Sequence, residues 1–190
     1  MKDPATFLAP TRLDAGEFVL RAYEIGDARA LNEAVNASYE HLKPWMAWAA
    51  PDTPLEQSEA TVRRFIAGYC RNEDFTMGIW QGDRCLGGTG FHLRVGAPGW
   101  GNAEIGMWLR GDMAGHGFGT CVLAALLDWG FDAWGWERLV WRCSTENHAS
   151  RRVAEKNGMK LEGVARQELP IYGIRHDTFI FSLIRADRPA

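Results

Sequence analysis

The stretch MAGHGFGT, Met113 to Thr120, sets glycine at alternate positions 115, 117 and 119. An apolar run, EIGMWL, precedes it. Behind it comes CVLAALLDWGFDAWG, in which Val122, Ala125, Leu126 and Trp129 share one helical face. A strand, a glycine turn and a helix in that order leave several backbone N–H groups at the positive end of a helix dipole, which is an anion site by construction. Glycine matters because side chains would hold a phosphate away from the backbone. This chain must therefore fold around a strand–turn–helix unit past its midpoint.

Three phosphate-bearing ligands compete for such a turn. A nucleoside-triphosphate loop needs GK[ST] at its end, whereas Gly119 is followed by Thr120 with no lysine. A dinucleotide fingerprint needs G-x-G-x-x-G near the first strand of an alternating β-α-β domain. The spacing is instead G-x-G-x-G, and hairpin strands precede it. The candidate that remains is the pyrophosphate of coenzyme A.

The rest of the chain reads as a mixed α/β layer. GEFVLRAY (Gly16–Tyr23) reads as a first strand, and Asp27 as the cap of a helix carrying Ala28, Leu31, Val35 and Tyr39 inward. HLKPWMAWAAPDTP reads as a long loop. Thr53, Pro54 and Glu56 read as cap, first-turn proline and third-position glutamate of a second helix, with Val62, Phe65, Ile66 and Tyr69 inward. FTMGIW and CLGGTGFHLRV flank a QGDR turn, and NAEIGMWL is the next strand. RLVWRC is a buried strand, Asn147 caps a helix ending at Gly158, and the last two strands turn near Tyr172 and Gly173. The expectation is one domain with a central, mostly antiparallel sheet of about seven strands flanked by about four helices. It includes one parallel pair across the long helix. Residues 1–15 are an N-terminal extension and 16–186 the domain.

Composition excludes several classes. A chain of 190 residues, 46% hydrophobic, is long enough to bury a full core unaided. A net charge of -3 gives no electrostatic footprint for nucleic acid. The start lacks a signal-peptide run and no later segment is apolar for long enough to cross a membrane, so the expected location is cytoplasmic. Cys70, Cys85, Cys121 and Cys143 form neither a CxxC pair nor a zinc pattern with histidine, and read as buried, reduced thiols. No metal is expected.

At this point a resemblance becomes specific. AGHGFGT after EIGMWL and before a long helix resembles motif A of the GNAT acyltransferases, whose Q/R-x-x-G-x-G/A pattern falls on Ala114 to Gly119. NHASRRVAEKNGMKLEGV resembles their N-x-x-S…K-x-G-F…G segment, while HLKPWMAW and DTFIFSLI resemble the RimJ/RimL branch, the ribosomal-protein N-acetyltransferase-like group. The motifs stand in the family's order from roughly Phe18 to Ile184. Ala114 replaces the usual glutamine or arginine, so one side-chain contact to the cofactor is missing. Met159 replaces the usual phenylalanine, a core change of similar bulk.

The resemblance implies an acetyl-CoA-dependent N-acetyltransferase with a single-domain GNAT fold, acting on a primary amine. A ribosomal or other protein N-terminus is the expected acceptor, with no nucleic-acid or membrane partner, and a homodimer is the expected assembly. A small-molecule amine acetyltransferase and a catalytically silent acyl-CoA-binding protein stay open as alternatives. Implied cofactor contacts are Met107, Trp108 and Leu109 on the strand, then Ala114, Gly115, His116, Gly117, Phe118, Gly119 and Thr120 around the pyrophosphate, with Asn147 and Ser150 beyond. His116 itself reads as pointing to solvent.

Acetyl transfer to an amine needs a neutral amine, donors for the oxyanion and a proton for the leaving thiolate. Glu104, which interrupts an apolar strand on the same face as Trp108, is the candidate base. A salt-bridged strand glutamate is its plain alternative. Ser150 is the candidate acid, or else an N3 residue whose hydroxyl bonds back to the cap. Asn147 is either a cofactor contact or only a cap. Cys143 could carry an acyl group but lacks an activating histidine, and reads as a packed thiol. Trp45 and Trp48 either stack on the acceptor or pin their loop as buried indoles.

Overall fold

The computed structural model describes residues 6–188. Among these, strands β1 (Arg12–Asp14) and β2 (Val19–Ala22) come first. Helices α1 (Ala28–Ala37), α2 (Tyr39–Leu42) and α3 (Leu55–Cys70) follow. Next are β3 (Phe75–Gln81), β4 (Arg84–His92), β5 (Asn102–Leu109), α4 (Phe118–Trp129), β6 (Arg138–Ser144), α5 (His148–Lys156), β7 (Lys160–Ile171) and β8 (Ile174–Ile184). The eight strands form one sheet in the order β1-β2-β3-β4-β5-β6-β8-β7. This is the expected mixed, mostly antiparallel architecture, with one more strand and one more helix. The additions are β1, which pairs on β2 within the segment read as an extension, and the single turn of α2. Of that extension, residues 1–5 lie outside the described residues.

Local chemistry explains most boundaries. Tyr172 (φ 47°) and Gly173 (φ 81°) take the two left-handed positions that a tight β7–β8 hairpin needs. Asn147 caps α5 by accepting the Ser150 N–H at 3.0 Å. Two expected caps are different. The Asp27 carboxylate is drawn to the Arg21 guanidinium in a two-pronged pair at 2.7 and 2.8 Å, and leaves the start of α1 uncapped by a side chain. The hydroxyl of Thr53 turns back to the Ala50 carbonyl, so α3 begins after Pro54 with no side-chain cap. Tyr39 falls beyond α1, which ends before the buried Ser38.

Among the described residues the only parallel pair is β5–β6, which α4 joins as a crossover. Its pairing runs from Asn102–Arg138 to Ile105–Trp141 and then stops. Each strand continues, bonded on its outer side alone: β5 to β4 as far as Leu109, and β6 to β8 as far as Ser144. The two strands therefore fork. Because side chains alternate along a strand, Ile105 and Trp141 face the core beneath α4. Glu104, Gly106 and Trp108 face the other side, where Trp108 packs with the α1–α3 cluster. Gly88 leaves the space that the Trp108 indole fills, since a Cβ there would lie 2.3 Å from Nε1.

Tryptophan divides between core and surface. Trp80, Trp129, Trp134, Trp136 and Trp141 are buried, whereas Trp48 and Trp100 are half exposed. The cysteines divide likewise: Cys85 and Cys143 are buried, but Cys70 and Cys121 are exposed, against the expectation that all four are buried. None of them forms a disulfide, and no helix among the described residues is long and apolar enough to cross a membrane.

Candidate active site

The fork between β5 and β6 opens a cleft of about 830 Å³. One end is the glycine turn. Gly115 (φ 84°) and Gly117 (φ 83°) are left-handed, and a Cβ on either would meet nothing within 4 Å, so the backbone at both is bare. Gly117 is also the residue before α4; its carbonyl accepts the Thr120 and Cys121 N–H groups, which leaves those of Phe118 and Gly119 as the open start of the helix. Gly119 begins the fit of the helix to the fork: a Cβ there would lie 3.3 Å from Leu109 Cδ1 and 3.4 Å from Met107 Cε.

Met107, Trp108, Leu109, Ala114, Gly115, Gly117, Gly119, Thr120, Asn147 and Ser150 all line this cleft. Two of the residues expected with them stand apart. His116 is exposed, and the Phe118 ring turns inward against Phe18, centroids 5.3 Å apart, leaving only their backbones toward the turn. Met159 is buried in the main core, as its motif position requires.

Glu104 lies at the crotch of the fork and is mostly buried. Arg94 Nε and Arg142 Nε each stand 3.8 Å from one of its carboxylate oxygens, and Arg142 also pairs with Glu168. The sequence does not reveal this bracket. Arg142 meets Glu104 only because β5 and β6 are in parallel register, which opposes Glu104 to Val140, and Arg94 only because β4 returns beside β5. Beside Glu104, the His92 imidazole lies over Gly106, where a Cβ would be 2.6 Å from Nε2, and Asp74 holds its Nδ1 at 2.6 Å.

Ser150 sits on the opposite wall. Its hydroxyl does not bond back to the helix cap. It accepts the Trp141 indole N–H at 3.0 Å, while its backbone N–H satisfies Asn147. An indole nitrogen only donates, so this bond occupies a lone pair of Oγ and leaves the hydroxyl proton for an acceptor, of which the Cys143 sulfur is one. Burial pushes the neighbouring Cys143 thiol up, with a hydrogen bond from Ser150 opposing the shift. A thiol held protonated, with no histidine paired to it, suits packing better than nucleophilic attack. Thr178 lines the cleft nearby and is buried, and its hydroxyl has no hydrogen-bond partner among the described residues.

At the mouth, Trp45 and Met46 line the cleft, and Trp48 stands edge-on to Trp108 with centroids 5.8 Å apart. Trp48 is 50% exposed, so the picture of two buried indoles pinning the loop does not hold. The loop is fastened instead by Tyr172, whose hydroxyl donates to the Ala49 carbonyl from the β7–β8 turn. A residue from the far hairpin thus shapes the entrance.

The cleft suits a long ligand with phosphate at one end: bare glycine backbone and a helix start at that end, apolar walls between, and an unpaired buried hydroxyl beyond. The chain matches the acetyltransferase (GNAT) domain family over residues 17–160, a span that contains β5, the glycine turn and α5. It is 31% identical over 133 residues to the uncharacterized N-acetyltransferase YoaA of Bacillus subtilis, covering 69% of this chain and 74% of that protein. It is 30% identical over 129 residues to the ribosomal-protein-serine acetyltransferase of Escherichia coli, covering 66% and 71%. Among solved structures, RimL, a ribosomal L7/L12 α-N-protein acetyltransferase in complex with coenzyme A, superposes with a TM-score of 0.81 at 26% identity, over 90% of this chain and 95% of that one. The microcin C7 self-immunity acetyltransferase MccE, at 22% identity, shares the fold with a TM-score of 0.83 over 94% and 98%. The chain belongs to the GNAT acetyltransferase family and resembles its RimJ/RimL-like branch.

Proposed function

We propose that this chain is an acetyl-CoA-dependent N-acetyltransferase of the cytoplasm that moves acetyl directly onto a protein N-terminal α-amine, with ribosomal proteins as acceptors. The observation that carries the reading is the fork itself, which brings the bare glycine turn, Glu104 and Ser150 to one cleft. Bound acetyl-CoA supplies an activated acyl thioester. The turn from Gly115 to Thr120 would hold the pyrophosphate through backbone N–H groups, and the unpaired edges of Met107 and Leu109 would bond the pantetheine arm. Glu104 takes a proton from the incoming ammonium at Oε1 or Oε2, directly or through water. An α-ammonium, with a pKa near about 8, demands less of this base than a lysine near about 10.4. Ser150 gives its hydroxyl proton to the departing thiolate, while Trp141 holds the oxygen in place. Trp45 and Trp48 flank the acceptor's path.

The acceptor class rests on the ribosomal-protein acetyltransferase relatives. The test is acetyl-CoA turnover, read by thiol release, against peptides with free N-termini and a panel of small amines. N-terminal peptides are the expected acceptors. In the same assay Glu104→Gln should lower kcat/KM by about 10²- to 10⁴-fold, the usual worth of a positioned base. An unchanged kcat/KM between about pH 6 and pH 9 removes Glu104 from that role. Binding of acetyl-CoA with no turnover for any amine overturns the enzymatic reading.

A further inference from the structure

The Asp74–His92 pair takes no part in the transfer steps assigned to Glu104 and Ser150. His92 ends β4 and stands directly opposite Glu104 in the β4–β5 register, so their Cβ atoms lie about 4.5–5.5 Å apart on one face of the sheet. Its ring leans along β5 over Gly106, which lines the cleft, and fills the space that a side chain at 106 would take. Asp74, from the connection between α3 and β3, lies 2.6 Å from Nδ1, and this is the ring's only hydrogen bond among the described residues. A carboxylate only accepts, so the neutral imidazole carries its proton on Nδ1 and presents the Nε2 lone pair over Gly106. A ring fixed in one tautomer by a carboxylate, with its other nitrogen bare beside a reaction cleft, is built as a proton acceptor. The other charges nearby are engaged. Arg94, beyond β4, and Arg142, from β6, each face one oxygen of Glu104 at 3.8 Å, and Glu73, next to Asp74, pairs with Arg71.

Glu104 must shed the proton it takes from each acceptor before it can act again. An imidazole is ordinarily the stronger base, about 6.5 against about 4.3 for a glutamate. Resting on the assignment of Glu104 as base, we propose that His92, held by Asp74, is a positioning residue that acts through Glu104 by unloading its proton. The carboxyl O–H bond breaks as an N–H bond forms at Nε2, directly or through water, and Glu104 returns to the carboxylate. Asp74 balances the imidazolium charge. Water then takes the proton from Nε2, which restores the starting tautomer.

The test is the pH dependence of kcat, from about pH 6 to pH 9, for wild type, H92A, H92Q, E104Q and H92A/E104Q on the best acceptor of the amine panel. H92A and H92Q should lose about tenfold or more in kcat near about pH 7, with KM for acetyl-CoA unchanged. The loss should shrink toward about pH 9, where hydroxide unloads the carboxyl itself. Added imidazole should restore H92A, which opens a space over Gly106, and leave H92Q unchanged. H92A/E104Q should be no slower than E104Q, because His92 acts only through Glu104. H92Q keeps the space filled and carries the pH test alone if H92A does not fold. A loss that is equal at every pH and indifferent to imidazole makes His92 structural and overturns the relay, as does wild-type kcat in both His92 variants; either result leaves Glu104 as base. A double variant slower than E104Q overturns it too, by giving His92 a role of its own. Wild-type kcat in E104Q removes base and relay together.

Discussion

Asn147 is positioned both to cap α5 and to touch a ligand in the cleft, and two substitutions separate these roles. Its Oδ1 takes the Ser150 N–H at 3.0 Å, the only side-chain cap on that helix start. Alanine removes the acceptor and exposes an orphan N–H, which costs about 1 kcal/mol. For a domain of this size that lowers Tm by roughly 2–4 °C. Aspartate keeps the acceptor, caps as well as asparagine, and places its charge favourably at a helix N-terminus, so its Tm should stay within about 1 °C of wild type. Aspartate nevertheless deletes the side-chain N–H₂ of a residue that lines the cleft. Losing one neutral hydrogen bond to a ligand is worth about 0.5–1.5 kcal/mol, and an anion facing an anionic cofactor adds to it. The expected result is an acetyl-CoA Kd raised by about two- to tenfold in N147A and by more in N147D, with Tm lowered only in N147A. Differential scanning fluorimetry and isothermal calorimetry read the two axes separately. Wild-type affinity in N147D would refute the contact and leave Asn147 as a cap alone, while an unshifted Tm in N147A would refute the capping energy.

Three other perturbations test the geometry. Gly117→Ala places a side chain in open space but at φ 83°, so about 1–2 kcal/mol of stability should be lost to backbone strain alone; urea unfolding measures it, and an unchanged midpoint contradicts the left-handed turn. Ser150→Ala leaves the buried Trp141 indole N–H without an acceptor, which should cost about 1–3 kcal/mol in the same experiment, apart from any loss of turnover. Glu162, paired with Arg138 and bonded by Ser182 at 2.7 Å, is held down to about 2 by Arg138. A depressed carboxylate contributes stability that is present above its unfolded pKa of about 4.5 and lost as pH falls toward about 2. The side chain is 40% exposed, so solvent screening reduces the contribution to about 1 kcal/mol. Stability from pH 6 down to pH 2 should accordingly fall less steeply in Glu162→Gln than in wild type, by that amount.

Much of this molecule is local and therefore legible in order along the chain. Alternating apolar runs name β3, β4 and β5, Gly158 and Gly173 stop what precedes them, and Asn147 opens α5 because its own side chain reaches an N–H three residues on. The glycine turn belongs to the same class, since φ near 84° is a property of the residue that holds it. Two caps misread from sequence show where local preference yields. Asp27 could serve a helix, but a guanidinium folded over Trp80 offers two charged hydrogen bonds instead of one neutral one. The active-site details are non-local altogether. Glu104 meets Arg142 across a parallel pair joined through α4, Ser150 meets Trp141 across a strand–helix packing, and Tyr172 fastens a loop 123 residues away. MAGHGFGT fixes by itself that an anion can rest at the start of a helix. That β5 and β6 part after Ile105 and Trp141, opening a cleft from that turn to Glu104, depends on how long hydrogen-bond pairing persists between distant strands, and only the folded sheet decides it.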